Sequence, residues 1–218
     1  MKKRLALIHT VTWYGKVITE PFVKPWLAAN PDIEVFNIMD DSLLADSLTH
    51  GGATPEVIKR LQYYLLAAEA MNADAAMITC TTVGEASRIA RSYISIPVFN
   101  IDEPMAREAV QMGDRLGILA TVPTSVAATK TLLEYEAARA GKKVSIEVGL
   151  SVEAFNSLVQ GNIARHDELV CAEADKLAEK VDVLVLGQIS LAQVRHQTRV
   201  PLLQVGHSGF AEAKRLLS

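Results

Sequence analysis

The sequence predicts an α/β fold built as two pseudo-symmetric lobes with parallel sheets, and three observations predict it. Short apolar segments alternate with amphipathic helical ones through most of the chain, which is the pattern of parallel α/β architecture. The second half repeats the first: Leu5 to Thr10 aligns with Leu116 to Thr121 at an offset of 111, Ala73 to Cys80 with Val181 to Gln188 at 108, and Ile96 to Phe99 with Val200 to Leu203 at 104. Three pairs in the same order, two of them with an Asp or Pro at the matching place, point to duplication. The chain of 218 residues is 50% apolar and 22% charged, enough for a sizeable core in each half. The expected boundaries are residues 1–99 plus 205–218 for the first lobe and 100–204 for the second.

Each element has its own local signal. The first strand is Leu5 to His9, and after a loop with Trp13, Gly15, Pro21 and Pro25 comes Ile33 to Ile38 as the second. The Gly51-Gly52 turn leads into a helix that Thr54 can cap and Pro55 can open, with Val57, Leu61, Tyr64, Leu65 and Ala68 on one apolar stripe. Asn72-Ala73-Asp74 ends it, and Ala75 to Thr79 reads as a short buried strand running into Cys80. Gly84 and Glu85 open another helix, and Pro97 introduces a strand around Val98 to Ile101. Asp167 to Lys180 is a helical run that carries Cys171 among Leu169, Ala172, Ala174 and Leu177, a packing position.

Composition removes several function classes. With 22 basic against 25 acidic side chains the formal charge is −3, which excludes a strongly basic nucleic-acid binder. The two cysteines have no metal-ligand spacing and the five histidines no His-x-x-x-His, so neither a metal site nor a disulfide framework is expected. Lys2, Lys3 and Arg4 precede an apolar run that stops at His9, short of the ~7–15 residues of a signal-peptide core. No stretch reaches the ~20 apolar residues of a membrane span, so the expected setting is cytoplasmic, away from membranes. Glycine-rich dinucleotide and phosphate-loop fingerprints are missing, which argues against nucleotide binding.

Parallel α/β folds bind ligands beyond the carboxyl ends of their strands. If the lobes face each other across a pseudo-twofold axis, those ends converge on one active-site cleft, bordered by Thr10, Cys80, Thr121 and Gln188. Asp74 and Asp182 occupy equivalent places before their strands, at the opposite end, and read as shared turn chemistry. Trp13 and Tyr14, in the long first loop, either shape the pocket or plug an interface.

These segments resemble the aspartate/glutamate/hydantoin racemase superfamily, which also includes maleate isomerases and arylmalonate decarboxylases, over nearly the whole chain. Thr79-Cys80-Thr81-Thr82 resembles the family's first cysteine motif. Leu186-Gly187-Gln188-Ile189-Ser190 stands where the second is expected, with Gln188 in place of the second cysteine. Asn100-Ile101-Asp102-Glu103-Pro104 resembles the segment at the lobe crossover, and Gly117 to Thr124 the strand and loop that open the second lobe. The resemblance implies a cofactor-independent racemase or isomerase, a homodimer or higher homo-oligomer, acting on a small substrate activated by a carboxylate or carbonyl.

In such chemistry one group removes a proton beside the activating group and another returns one to the opposite face. A thiol suits the task because its reference pKa of ~8.5 falls near helix amino termini, and Cys80 precedes the helix opened by Gly84. Thr10, Thr81, Thr82, Thr121, Thr124, Ser190 and the amide of Gln188 are the candidate substrate-binding groups. Gln188 neither gains nor loses a proton near neutrality, so symmetrical two-thiol racemisation is disfavoured. Three one-thiol schemes follow: proton return after decarboxylation, covalent addition to a double bond, or racemisation with a second base drawn from His9, His207, Asp102 and Glu103. A retired member that binds a small anion is the non-enzymatic alternative. The bland readings are a buried small hydrophobe for Cys80, hydrogen-bonded structural residues for His9 and His207, a helix start for Asp102 and Glu103, and surface positions for His50, His166 and His196.

Overall fold

The computed structural model describes residues 2–218 and contains two four-stranded parallel sheets flanked by helices. The chain divides into two compact units, one formed by residues up to Glu103 together with Gly206–Ser218, the other by Pro104–Val205. Among the described residues no helix is long and apolar enough to cross a membrane, and no cluster of ligating side chains is arranged for a metal ion.

In the first unit β1 (Lys3–His9), β2 (Ile33–Met39), β3 (Ala75–Ile78) and β4 (Val98–Asn100) form a sheet of order β2-β1-β3-β4. A π-helical stretch, Gly15–Val23, and α1 (Lys24–Ala29) connect β1 to β2, while α2 (Ser42–His50) and α3 (Pro55–Ala70) connect β2 to β3. The central strands read as unbroken apolar runs because helices cover both faces of the sheet. On one face Ala6, Ile8, Ala76 and Ile78 pack with the stripe Val57, Leu61, Leu65 and Ala68 of α3. Tyr64 from the same stripe is only half-buried, and its hydroxyl donates to Asp40 Oδ2 at 2.8 Å. The α3 start follows its sequence signals: Thr54 Oγ1 accepts the Val57 N–H at 3.3 Å, and Pro55 holds the first position. α4 (Gly84–Ala90) joins β3 to β4, and α9 (His207–Leu217) returns from the second unit to pack on β1 and β3.

The second unit is a topological copy. After α5 (Glu103–Met112), β5 (Arg115–Ala120), β6 (Ser145–Leu150), β7 (Val183–Leu186) and β8 (Leu202–Gln204) form a sheet of order β6-β5-β7-β8. α6 (Pro123–Arg139) connects β5 to β6, and α7 (Val152–Val159) and α8 (Ile163–Ala178) connect β6 to β7. The repeat extends to side-chain chemistry. Asn162 caps α8 by accepting the Arg165 N–H at 3.1 Å, as Thr54 caps α3 in the first unit. Asp74 accepts the Arg4 N–H at 2.8 Å and Asp182 the Arg115 N–H at 2.9 Å. Both aspartates thus tie together the amino ends of two neighbouring strands, the turn role their sequence positions implied.

Candidate active site

The register of the first sheet sets three side chains in a row beyond its carboxyl edge. Ile8 is paired with Ile78, and Ile78 with Asn100. The ladder continues one residue further, since Thr79 N–H donates to Ile8 O at 3.0 Å and Ile101 N–H to Ile78 O at 2.9 Å. Thr10, Cys80 and Asp102 are the second residues past these three partners and come off adjacent strands side by side. Asn100 Nδ2 donates to the Cys80 carbonyl at 3.1 Å and holds the Cys80 peptide to the end of β4. A Cβ at Gly84 would lie 3.0 Å from that same Nδ2, so a side chain there would press on the strut as α4 begins.

Cys80 is only partly buried within its cluster. Burial pushes its thiol above the usual range, and the charge of Asp102 adds to this. The Thr10 hydroxyl and the N–H groups of Val83 and Thr82 act in the opposite direction. The helix start therefore does what the sequence implied, but desolvation outweighs it, and the expected acidified thiol is corrected to a raised one. Thr10 Oγ1 is buried and makes no hydrogen bond of normal geometry, although it lies close enough to the thiol to favour its ionised form.

Asp102 is 1% exposed, and its Oδ1 has no hydrogen-bond partner. Burial and the neighbouring Glu103 push its carboxyl up to about 7, against the pull of its own N–H, Arg88 and the Thr81 hydroxyl. Glu103 is a different case. Arg91 Nη1 reaches both of its oxygens, at 2.8 and 3.0 Å, and also donates to Val98 O at 3.1 Å. Glu103 is thus bound into an ion pair at the start of α5, which matches its helix-start reading and leaves it poorly placed as a free base.

The imidazole of His9 is fully buried with both nitrogens engaged, Nδ1 with Thr79 Oγ1 and Nε2 with Asn37 Oδ1, each at 2.9 Å. Tyr14 stacks on the ring with centroids 4.0 Å apart, and burial lowers the pKa of His9. A ring with no free nitrogen braces the strand ends and offers no lone pair to a substrate. His207 opens α9, exposed, with its ring edge against Phe22 at 5.1 Å. Thr81 and Thr82 lie half-buried between β3 and α4. Trp13 is half-exposed.

In the second unit Gln188 Oε1 accepts the Thr121 N–H at 2.6 Å, and its Nε2 donates to Thr121 Oγ1 at 3.1 Å. The amide closes on the neighbouring strand end. Ser190 is half-buried in the short 3-10 turn Ile189–Leu191, and Thr124 is exposed in the first turn of α6. Cys171 stays on α8 at the margin of that unit's core, its thiol raised by burial and by Asp167 and Asp175. His166 departs from its expected surface position, being buried on α8 with Nδ1 2.7 Å from Asp167 Oδ1. The supports are what sequence reasoning missed: Asn37 and Arg91 were not singled out, and Thr79 and Asn100 were quoted as motif members without a role. Asn100 carried a readable signal, a carboxamide at the end of an apolar strand, which when buried has to meet a specific partner.

Duplicated parallel α/β units with one thiol in a strand-end row define the class of protein. Residues 27–213 match the family model described as Asp/Glu/Hydantoin racemase, and the chain belongs to that family. A solved structure from Yersinia pestis, provisionally described as an Asp/Glu racemase, matches with a TM-score of 0.72 at 15% identity, covering 99% of this chain and 100% of that one. Picrophilus torridus aspartate racemase gives 0.69 at 11% identity, over 98% and 92%. Allantoin racemase from Klebsiella pneumoniae gives 0.66 at 17% identity, over 99% and 87%. At these identities the likeness is one of fold. No curated protein matches the chain in sequence.

Proposed function

We propose that the chain is a cofactor-independent enzyme of the racemase and isomerase type, using the Cys80 thiol for proton transfer at a carbon beside a carboxylate or carbonyl of a small substrate. The observation that carries this reading is the row beyond the first sheet. It holds a partly accessible thiol between two buried oxygens, Thr10 Oγ1 and Asp102 Oδ1, that make no hydrogen bond of normal geometry. Buried polar atoms are ordinarily paired, and two unpaired ones flanking a nucleophile suit a ligand that completes them. In the forward step the Cys80 thiolate takes the α-proton, the C–H electrons pass to the substrate's carboxylate or carbonyl oxygen, and neighbouring donors stabilise that charge.

Gln188 favours one further reading. Its amide is closed on Thr121 and cannot titrate, so a single-thiol reaction such as decarboxylation of a malonate-type acid, with Cys80 protonating the resulting carbanion, is the second reading.

Incubation with amino acids, hydantoins, maleate and substituted malonates in deuterated buffer tests both. Deuterium entering the α-position without net reaction supports the racemase type, and carbon dioxide release supports the decarboxylase. Cys80→Ala is expected to lower whichever activity is found by at least about 100-fold, with Cys171→Ala close to wild type. Full activity in Cys80→Ala would sink the assignment. Gln188→Cys is expected to raise racemisation if the second thiol is the only missing part.

A further inference from the structure

The two strand-end rows differ in a coordinated way. Thr10, Cys80 and Asp102 lie three residues past the paired Leu7, Met77 and Phe99, and in the second sheet Ile118 is paired with Val185, and Val185 with Leu203, so the matching positions, again three residues on, are Thr121, Gln188 and Gly206. Threonine is retained at the first position, while the thiol and the carboxyl are both replaced. Thr121 and Gln188 satisfy each other, whereas Thr10 Oγ1 and Asp102 Oδ1 stay buried and unpaired beside the thiol. A carboxyl needed only to start a helix is free to differ independently of a cysteine on another strand. Here the two ionisable groups are present together in one row and absent together from the other.

We propose that Asp102 is the proton partner of Cys80, exchanging the thiol proton at its unpaired Oδ1, so that the two groups hold one proton between them at neutral pH. This rests on reading Cys80 as the reacting thiol. The S–H bond of Cys80 breaks, an O–H bond forms on Asp102, and the negative charge moves from carboxylate to sulfur with no change in electron count. Asp102 is then a positioning residue on the thiol's own sheet, not the opposed second base its sequence position left open.

Charged groups reach the pair from α4, the turn after it and the start of α5. Arg88 reaches in from α4, Glu103 stands at the start of α5, and Arg91, from the turn after α4, neutralises Glu103. Arg88 favours the carboxylate and Glu103 opposes it, and burial pushes Asp102 up to about 7. The carboxyl thus takes and gives a proton in the neutral range where the reaction is expected to run. Because ionised Asp102 raises the thiol, the two titrate as a coupled pair.

The test is the rate of iodoacetamide alkylation at Cys80, followed by peptide mass from about pH 5 to about pH 9 to span both ionisations. In the wild-type chain reactivity is expected to rise in two steps, the first near the titration of the carboxyl. In Asp102→Asn, where no carboxylate raises the thiol, one step at lower pH is expected, with alkylation at neutral pH about tenfold faster for every pH unit that separates the two profiles. A single-step wild-type profile that Asp102→Asn leaves in place overturns the proposal. If Asp102→Asn does not fold, infrared titration of the wild-type chain takes its place. A protonated-carboxyl band lost near neutrality and displaced in Cys80→Ala supports the pair, and a band indifferent to Cys80→Ala overturns it. An active Cys80→Ala enzyme would remove the functional reading while leaving the alkylation profile to decide the pair.

Discussion

At the residue scale the same side chain does different work according to what surrounds it. Asp182 and Asp102 are both aspartates at strand ends, yet one is held at about 2 and the other is pushed up to about 7. Asp182 faces solvent and accepts hydrogen bonds from the Arg115 side chain and the Arg115 and Asp114 N–H groups, all of which favour the carboxylate. Asp102 is enclosed beside a second acid, which favours the proton. The depressed pKa of Asp182 means that its stabilising contribution is complete above the ordinary carboxylate value and is lost as pH falls from about 4 towards about 2. Acid unfolding followed by circular dichroism is therefore expected to be shallower over that window in Asp182→Asn than in wild type. Sequence alone showed Cys80, Asp102 and His9 as candidates. It could not distinguish them, because desolvation and pairing depend on segments distant in the chain, such as Thr10 for Cys80 and Asn37 for His9.

At the scale of elements, local chemistry was largely readable. The Thr54 cap, the Pro55 start and the 16-residue α3 follow from signals within one stretch of chain. Thr54→Ala removes the cap's hydrogen bond to Val57 and is expected to cost about 1 kcal/mol in denaturant unfolding. Other elements were hidden. The loop predicted between the first two strands is instead a π-helical stretch leading into α1, with Pro21 inside it. Its helical character comes from burial of Ile18, Phe22 and Val23, not from a capping signal, since no side chain caps its start. Gly206 carries a similar lesson: its φ of 109° is a conformation that side chains resist, and a Cβ there would stand 2.5 Å from the Phe22 ring.

At the scale of the whole molecule, the duplication is more exact in space than in sequence. Both sheets have the same strand order and equivalent edge strands, although few side chains match. The first unit is also discontinuous, completed by α9 from the far end of the chain. Phe210 on α9 is buried against Phe22 and Trp26, so Phe210→Ala is expected to cost about 3–5 kcal/mol. Hydrogen exchange should then show lost protection in β1 and β3 while β5 and β7 keep theirs. By itself the sequence determined the α/β class, the twofold repeat and the strand ends that carry polar residues. These are encoded in apolar periodicity and in spacing along the chain. Only the tertiary structure decided that Cys80 is raised and not acidified, that His9 and Glu103 are tied up by partners, and that Asp102 stands beside the thiol with an oxygen left unpaired. Those properties belong to strand register and to exclusion of water, which arise only when distant segments are brought side by side.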